Sequence, residues 1–422
     1  MKKKYFKLHL IALIIGLFST LETYSQFKID AQYRPRLEVR DGYQKLAKSN
    51  SVPAFLMSQR TRISFIFESE NFKIKLTPQD VRIWGDEQLA SSSGVYGDKA
   101  SLDLFEAFVE MKVGNSIWIS LGRQQLVYDN ERLLSARNWN QNGIAYDAFV
   151  FKFGKNKWNI HAGFSWNSLE ATLENNYYLS NRIKSLNFLW INRNINDKLK
   201  LSLSQIASGV TETDTTNTLH FRQTTGVYLN YKRKILNFNG DIYYQYGKNK
   251  TGKNISAFLI DANVSLKFGK IIPGLGISYL SGNKNPEGKT DNLFDVLYGA
   301  RHRFFGHMDY FRDFVKNTNE GGLSDFNFFL EYKFDRSISL TNIGHYFKLA
   351  QLNPLTGNNK NLGYENEVML KYKINDFTSI KSGYVFFLPT ESFKKLQNVS
   401  GDRFSQFFYL ELTIIPTLFK HL

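Results

Sequence analysis

The feature that most constrains this chain is a long stretch of strict alternation, FKIDAQYRPRLEVR, at residues 27–40. Every odd position in it is apolar or aromatic, and every even position is polar or charged. A repeat of two residues is typical of a β-strand, because successive side chains point to opposite faces of a sheet. At about 3.3 Å per residue the stretch is roughly 45 Å long, which exceeds the usual strand of a soluble sandwich. It indicates a tilted strand that crosses a membrane, with lipid on one face and water on the other.

The same alternation recurs at residues 157–166 and 325–334, and turn-rich connectors separate such segments. The short connectors lie at 68–71, 113–116, 154–157, 195–198, 268–270, 335–337 and 374–376, and the long ones at 41–53, 86–100, 129–143, 167–182, 208–217, 281–321, 350–361 and 389–402. Short turns at one rim and long loops at the other are typical of outer-membrane barrels. We therefore predict an all-β fold, a transmembrane antiparallel β-barrel of about 18 strands over residues 26–422, with short periplasmic turns and long extracellular loops. A barrel of this size should enclose an aqueous channel rather than a packed core.

The start of the chain predicts export. Residues 1–25 combine a lysine-rich start, the apolar run IALIIGLF and a small-residue site at Ser25, which is the layout of a signal peptide. The apolar run is too short for a membrane-spanning helix of about 20 residues. We expect cleavage near Ser25 and insertion into the outer membrane of a Gram-negative bacterium, in contact with its lipid.

The composition agrees with this class. Aromatic residues make up 15% of the chain although the mean hydropathy is −0.35, a combination that suits a barrel and not a bundle of apolar helices. The formal net charge is +16, and without residues 1–25, which carry four lysines and one glutamate, it is +13. Such a charge would suggest a nucleic-acid partner. The signal peptide argues against one, and the positions of the charges suggest the wall of a pore.

The alternation assigns charged side chains to the pore wall. If Phe27 faces lipid, the lumen receives Arg34, Arg36 and Arg40 from the first strand and Arg60 and Arg62 from the second. On the third strand we expect Lys73 and Lys75 inside and a bulge near Pro78, after which Asp80, Arg82 and Trp84 also point inward. Two interpretations stay open. The arginines guide an anionic solute, which guanidinium groups bind well, or they pair with carboxylates such as Glu38, Glu106 and Glu110 and brace the wall.

Several separated motifs resemble the alginate-export family of outer-membrane porins, whose founding members are eighteen-stranded barrels. They are QDVRIWGD (79–86), LFEAFVEM (104–111), GRQQLVYDNERLLSARNWNQNGIAYDAF (122–149) and FDVLYGARHRFFGHMDYF (294–311). The resemblance implies a passive channel with an electropositive lumen for an anionic uronic-acid polymer. It assigns the family's recurrent charged positions to Arg82, Glu106, Arg123, Asp129, Glu131, Arg132, Arg137 and Asp147, and a charged loop segment to Arg301, His302, Arg303, His307 and Asp309. Barrels of this type usually end on an aromatic residue, which the barrel-assembly machinery, an expected partner, recognises. This chain departs from that pattern because Lys420, His421 and Leu422 follow Phe419.

Other functions have weaker support. The chain lacks the common hydrolase motifs and any cysteine, and Glu106 and Glu110, four residues apart on a strand, lie about 13 Å apart, too far for a glycosidase pair. Two pairs, His302 with His307 and Asp129 with Glu131, are incomplete metal sites, so we expect no metal. We also expect no enzyme activity and no cofactor.

Two alternatives remain: an anion porin for small solutes such as phosphate or carboxylates, and a barrel plugged by the 281–321 loop. We expect the solute path to include Arg34, Arg36, Arg60, Arg62, Asp80, Arg82, Glu106, Glu110, Arg123, Arg132 and Arg137.

Overall fold

The structure is a computed structural model that describes residues 26–85, 101–285 and 287–421. The predicted signal peptide at 1–25 and the predicted loop at 86–100 lie outside the described residues. The helices found within these ranges are short and lie in loops: α1 (Arg301–Phe304), α2 (Phe314–Asn317), α3 (Glu391–Gln397) and a 3-10 turn (Pro354–Thr356). None of the described helices has the length and apolar character needed to span a bilayer.

The remaining elements are strands. They are β1 (Gln26–Asp41), β2 (Ala54–Glu68), β3 (Phe72–Ile83), β4 (Ser101–Gly114), β5 (Ile117–Gln124), β6 (Tyr146–Lys155), β7 (Trp158–Trp166), β8 (Ser185–Asn196), β9 (Leu199–Thr211), β10 (Leu219–Arg233), β11 (Leu236–Lys248), β12 (Asn254–Leu266), β13 (Ile271–Leu280), β14 (Thr290–Asp291), β15 (Leu323–Lys333), β16 (Ile338–Lys348), β17 (Asn361–Lys373), β18 (Thr378–Pro389), β19 (Ser405–Ile414) and β20 (Thr417–His421).

These strands close into one antiparallel barrel. β14 belongs to a loop, and β19 and β20 together form the last barrel strand, so the barrel has eighteen strand positions. The first strand closes the ring, because Arg36 lies opposite Ser58 of β2 on one side and opposite Glu411 of β19 on the other. The break in the last strand falls at Pro416, and Phe419 still pairs with Ile29. The predicted fold class is confirmed.

The connections differ at the two ends of the barrel, which we call the turn end and the loop end. All seven predicted short turns connect barrel strands at the turn end. One turn, at 234–235, was not predicted, and one connection at the loop end, 249–253, is short. The predicted loop at 208–217 begins later than expected, since β9 continues to Thr211.

Apolar side chains cover both the outside of the barrel and part of its inside. Outward-facing residues such as Leu203, Ile260 and Phe328 are exposed, as a lipid-facing surface requires. Inside, near the loop end, the most buried apolar side chains form a packed core, which includes Phe294, Met308, Tyr310, Phe311, Phe347, Phe387 and Phe407. The prediction of a lumen without a packed core is therefore wrong at the loop end, because the 281–322 connection folds inward.

The predicted change of phase in β3 is also wrong. β2 and β3 pair in constant register from Glu68–Lys73 to Ser58–Ile83. The bulge does occur beside Pro78, but the extra residue is in β4, where Thr77 lies opposite Glu106 and Pro78 opposite Leu104. Three residues predicted to point inward therefore stay on the outward face of the strand, namely Asp80, Arg82 and Trp84.

Candidate functional site

An arginine ladder lies on the lumen face of β1 and β2, as the alternation predicts. Arg34 is directly opposite Arg60, and Arg36 and Arg62 extend the row toward either end. Like charges opposite one another destabilise a sheet unless other groups compensate them. Arg34, Arg36 and Arg60 are nevertheless buried, so the groups that compensate them lie within the lumen.

Two of these groups are carboxylates of the wall, Glu38 and Glu411. The others belong to the connection between β5 and β6, residues 125–145, which we call the inner loop. Arg34 donates from Nε and Nη2 to Gln141 Oε1 at 3.0 and 2.8 Å, and from Nη1 to the carbonyl of Asn138 at 2.7 Å. Arg60 donates from Nη2 to Asn138 Oδ1 at 2.8 Å and from Nη1 to the carbonyl of Gln141 at 3.2 Å. The ladder thus anchors the inner loop against the wall.

At the tip of the inner loop, the Trp139 ring is packed between two side chains, one on each face. The Arg36 guanidinium lies 3.9 Å from the centre of the Trp139 ring, and the His302 ring stacks on Trp139 at 3.7 Å.

Gly143 completes the loop with a φ of 67°, and a Cβ there would lie 2.9 Å from Arg62 Nη2. A glycine is required at this position because a left-handed backbone and a close approach coincide there.

The 281–322 connection, which we call the long loop, is bound to carboxylates of β17. The backbone N–H groups of His307 and Met308 donate to Glu367 Oε1 at 2.8 Å and Glu365 Oε1 at 3.0 Å, and His307 Nδ1 contacts Glu367 Oε2. His345 of β16 adds a contact of 3.7 Å between its Nε2 and Glu367 Oε1. This loop therefore docks on a wall that offers carboxylates.

One histidine of the long loop is buried beside a second. The rings of His302 and His307 are 4.1 Å apart, and His302 Nδ1 lies 3.0 Å from Asp309 Oδ1. Burial and the neighbouring His307 lower the pKa of His302 to about 4, although Asp309 favours its charged form. His302 is therefore neutral at neutral pH.

A like-charged pair on the far wall is compensated in the same way as the arginine ladder. Asp241 of β11 lies directly opposite Asp261 of β12. Arg132 of the inner loop contacts Asp261 through Nη2, and Asn130 Nδ2 donates to Asp241 Oδ2 at 2.5 Å. The inner loop thus spans the lumen from a cationic wall to an anionic wall.

Between the loops and the wall lies a cavity of about 730 Å³. Its lining carries seven cationic side chains and three carboxylates, namely Arg34, Arg137, Arg301, Arg303, Arg312, Lys371 and Lys381 against Glu131, Asp309 and Glu411. Burial lowers the pKa of Arg137, and the neighbouring Arg301 lowers it further. The charged lining makes this cavity the candidate functional site.

The predicted site residues fall into three groups: arginines that bond to the inner loop or belong to it, glutamates that pair with lysines, and residues that face outward. Arg34, Arg36, Arg60 and Arg62 face the lumen but bond the inner loop, and Arg132 and Arg137 belong to that loop. Glu106 and Glu110 also face the lumen, where they pair with Lys75 at 2.5 Å and Lys152 at 3.1 Å instead of with arginines. Glu38 does pair with Arg36, at 2.7 Å.

Three predicted lumen residues lie on the outward face. Arg82 forms a bidentate pair with Asp80 on the outside of β3, and both hydrogen bonds are 2.8 Å long. Arg123 also faces outward, because the lumen face of β5 carries the even-numbered, buried Ser120 and Gln124. Its partner is Asp147, at 2.9 Å. The predicted inward position of Asp80, Arg82 and Arg123 is therefore wrong.

The candidate metal ligands have protein partners. Asp129 accepts hydrogen bonds from Trp190 Nε1 at 3.0 Å and from Ser202 Oγ at 2.5 Å, and Glu131 accepts from the backbone N–H of Ala136 at 3.1 Å. Within the described ranges, no group of three or more histidine, cysteine or acidic side chains is arranged to hold a metal.

The sequence also carries a signal for lumen residues outside the predicted site. The segment NLGYENEVMLKYK (361–373) places Glu365, Glu367, Lys371 and Lys373 on one face by the same two-residue alternation. That alternation assigns them to the lumen wall as directly as it assigns Arg34. Which loop each of them meets depends on long-range packing.

The chain is similar to known outer-membrane proteins in sequence pattern and in fold. The alginate export family matches residues 25–406, whereas no curated protein matches significantly. OprD from Pseudomonas aeruginosa has a TM-score of 0.64 at 13% identity, over 93% of this chain and 94% of that one. OccAB1 from Acinetobacter baumannii has a TM-score of 0.64 at 11% identity, over 93% and 97%. OpdK from Pseudomonas aeruginosa, solved with vanillate, has 0.59 at 12% identity, over 93% and 99%. The chain belongs to the alginate export family and is an outer-membrane channel.

Proposed function

We propose that this protein is a passive channel for an anionic oligosaccharide or polysaccharide such as alginate, with a basic lumen and no catalytic role. The observation that carries the proposal is the cavity lining, in which cationic side chains outnumber carboxylates seven to three at the depth where both loops enter the lumen. We also propose that residues 1–25 are removed during export and that the barrel-assembly machinery inserts the mature chain.

The mechanism is electrostatic. A wall lined by one sign of charge raises the local concentration of counter-ions and speeds their access to the pore. Several weak sites in sequence let the solute leave again, whereas one tight site would trap it. Arg137, Arg301 and Arg303 belong to loops and contact the same cavity as wall residues, so the solute meets cations on both sides.

A general anion porin for small solutes is the second candidate, and the inward loops favour it. A cavity of about 730 Å³ falls in the range of about 300–1,000 Å³ that is usual for sites of small molecules. The similar fold of OpdK, which was solved with vanillate, agrees with a small solute. A polymer would require the inner loop or the long loop to move aside.

The two candidates are separated by the reversal potential of the refolded protein in a planar bilayer under a potassium chloride gradient, measured with and without alginate oligomers. The polysaccharide channel predicts anion selectivity and block of the current by the oligomers. Anion selectivity without block would favour the porin for small solutes. A channel that prefers cations would refute both.

A further inference from the structure

One aromatic ring of the lumen wall lies outside the packed core. Phe329 of β15 faces the lumen, directly opposite Gly274 of β13 and Ile343 of β16. The side chain of Phe329 is half-buried, and it belongs neither to the core nor to the residues packed against the core. Ile343 lines the cavity of about 730 Å³. The Phe329 ring therefore lies beside the candidate functional site.

The glycine opposite this ring determines how the ring lies. A Cβ on Gly274 would collide with Phe329, so the ring lies along the wall, over the glycine. Three other rings lie over lumen-facing glycines in the same way, namely Phe188 over Gly163, Tyr243 over Gly226 and Tyr409 over Gly383. Those three rings are buried in the packed core. The Phe329 ring instead leaves apolar surface uncovered in the lumen, which is unfavourable in water until a solute covers it.

A second lumen-facing glycine places two amide groups beside the ring. Gly276 lies opposite Asn263 of β12 on one side and opposite Asn327 of β15 on the other. A Cβ there would collide with the Oδ1 atoms of both asparagines, so these two atoms converge over the glycine. Each Nδ2 donates to an aspartate of its own strand, at 2.6 and 3.3 Å. Among the described residues neither Oδ1 accepts a hydrogen bond, so both are available to a donor from the solute.

The surroundings of the ring are not cationic. The lumen-facing neighbours of Phe329 on its own strand are Asn327 and Glu331, and its partners across the two pairings are Gly274 and Ile343. A carboxylate group of the solute therefore gains nothing at this point of the wall. What the site offers is an apolar ring with two hydrogen-bond acceptors next to it.

We infer that Phe329, Asn263 and Asn327 form a subsite for one sugar ring of the solute, which we call the stacking platform. The C–H face of the sugar packs on the aromatic ring, whose face is electrostatically negative, and two hydroxyl groups donate to the Oδ1 atoms. Glycine inside a strand weakens it and often marks the close approach of a ligand. The inference rests on the proposed saccharide function and adds a feature to it: the channel recognises the sugar ring independently of the charge, so it also binds neutral oligosaccharides.

The test uses maltohexaose, a neutral oligosaccharide, as the probe. Single channels are recorded in a planar bilayer in about 1 M potassium chloride, where the screening length is about 3 Å and long-range attraction by the basic lumen is suppressed. The fraction of time for which the current is blocked gives the binding constant of the probe. Polyethylene glycol of the same mass serves as the size control, because it has no sugar rings and carries hydroxyl groups only at its ends.

We expect maltohexaose to block the unaltered channel and polyethylene glycol to leave its current uninterrupted. Phe329→Ala should lower the binding constant of maltohexaose by about tenfold, the order of magnitude that one aromatic contact supplies. The matched control is Phe328→Ala, which removes the neighbouring ring from the exposed, lipid-facing side of the same strand and should leave the binding constant unchanged. Asn327→Ala, which keeps the ring but removes one acceptor, should also lower the binding constant and provides a second variant if Phe329→Ala does not fold.

Alginate oligomers added to the same channels separate the failure of this inference from the failure of the proposed function. Channels that alginate oligomers block and maltohexaose does not would refute the stacking platform and leave the proposed function intact. Block by maltohexaose that is equally strong in the unaltered channel and in the platform variants would also refute the platform. Channels that neither oligomer blocks would refute the polysaccharide function and the inference with it.

Discussion

Replacing Arg60 by glutamine tests whether the arginine ladder anchors the inner loop or faces the permeating solute. Arg60 is fully buried, and its two shortest hydrogen bonds to the inner loop are 2.8 Å, to Asn138 Oδ1, and 3.2 Å, to the carbonyl of Gln141. A hydrogen bond from a charged donor contributes about 1.5–3 kcal/mol, so their loss weakens the anchoring by roughly 3–6 kcal/mol. Since about 1.4 kcal/mol corresponds to a factor of ten, even the lower figure raises the population of the released loop about a hundredfold.

Single-channel recording measures this release directly. We expect Arg60→Gln to show frequent transitions to a higher conductance that the unaltered channel rarely reaches. Arg123→Gln is the matched control, since Arg123 pairs with Asp147 on the outward face, and it should leave the trace unchanged. If Arg60→Gln instead keeps the original conductance and fluctuations but loses anion selectivity, Arg60 meets the solute and does not anchor the inner loop.

Three further predictions follow from the same contacts. Arg82→Gln should leave the reversal potential unchanged, because Arg82 lies on the outward face; an altered potential would place it in the lumen. Gly143→Ala should destabilise the seated inner loop by about 1–3 kcal/mol through overpacking against Arg62, seen as more frequent openings, and openings as rare as in the unaltered channel would contradict this. His302 has a pKa of about 4 in the seated long loop and about 6.5 once released. The seated state therefore has its full stability above pH 6.5 and loses it as the pH falls toward 4, by up to about 3 kcal/mol. Openings should increase over that window in the unaltered channel and not in His302→Gln.

The alternation of the sequence is enough to predict the barrel and the lumen face of its first two strands, because each residue's face depends only on its neighbours in the same strand. It failed for Asp80 and Arg82 because a bulge beside Pro78 can be accommodated by either of two paired strands, and β4 accommodates it. It also could not predict that the arginine ladder would be covered. Residues 138–142, which cover it, lie about eighty to one hundred positions further along the chain, and no local pattern encodes that contact.

The outward pair of Asp80 and Arg82 has a consequence for the surrounding bilayer. On β3 the apolar outer strip runs from Phe72 to Pro78, whereas on β11, across the barrel, it runs from Leu236 to Tyr246. The difference is four residues, or about 13 Å along a strand at about 3.3 Å per residue. Acyl chains beside β3 meet a shorter hydrophobic wall than those beside β11, so the membrane thins on one flank of the protein or the barrel leans toward it.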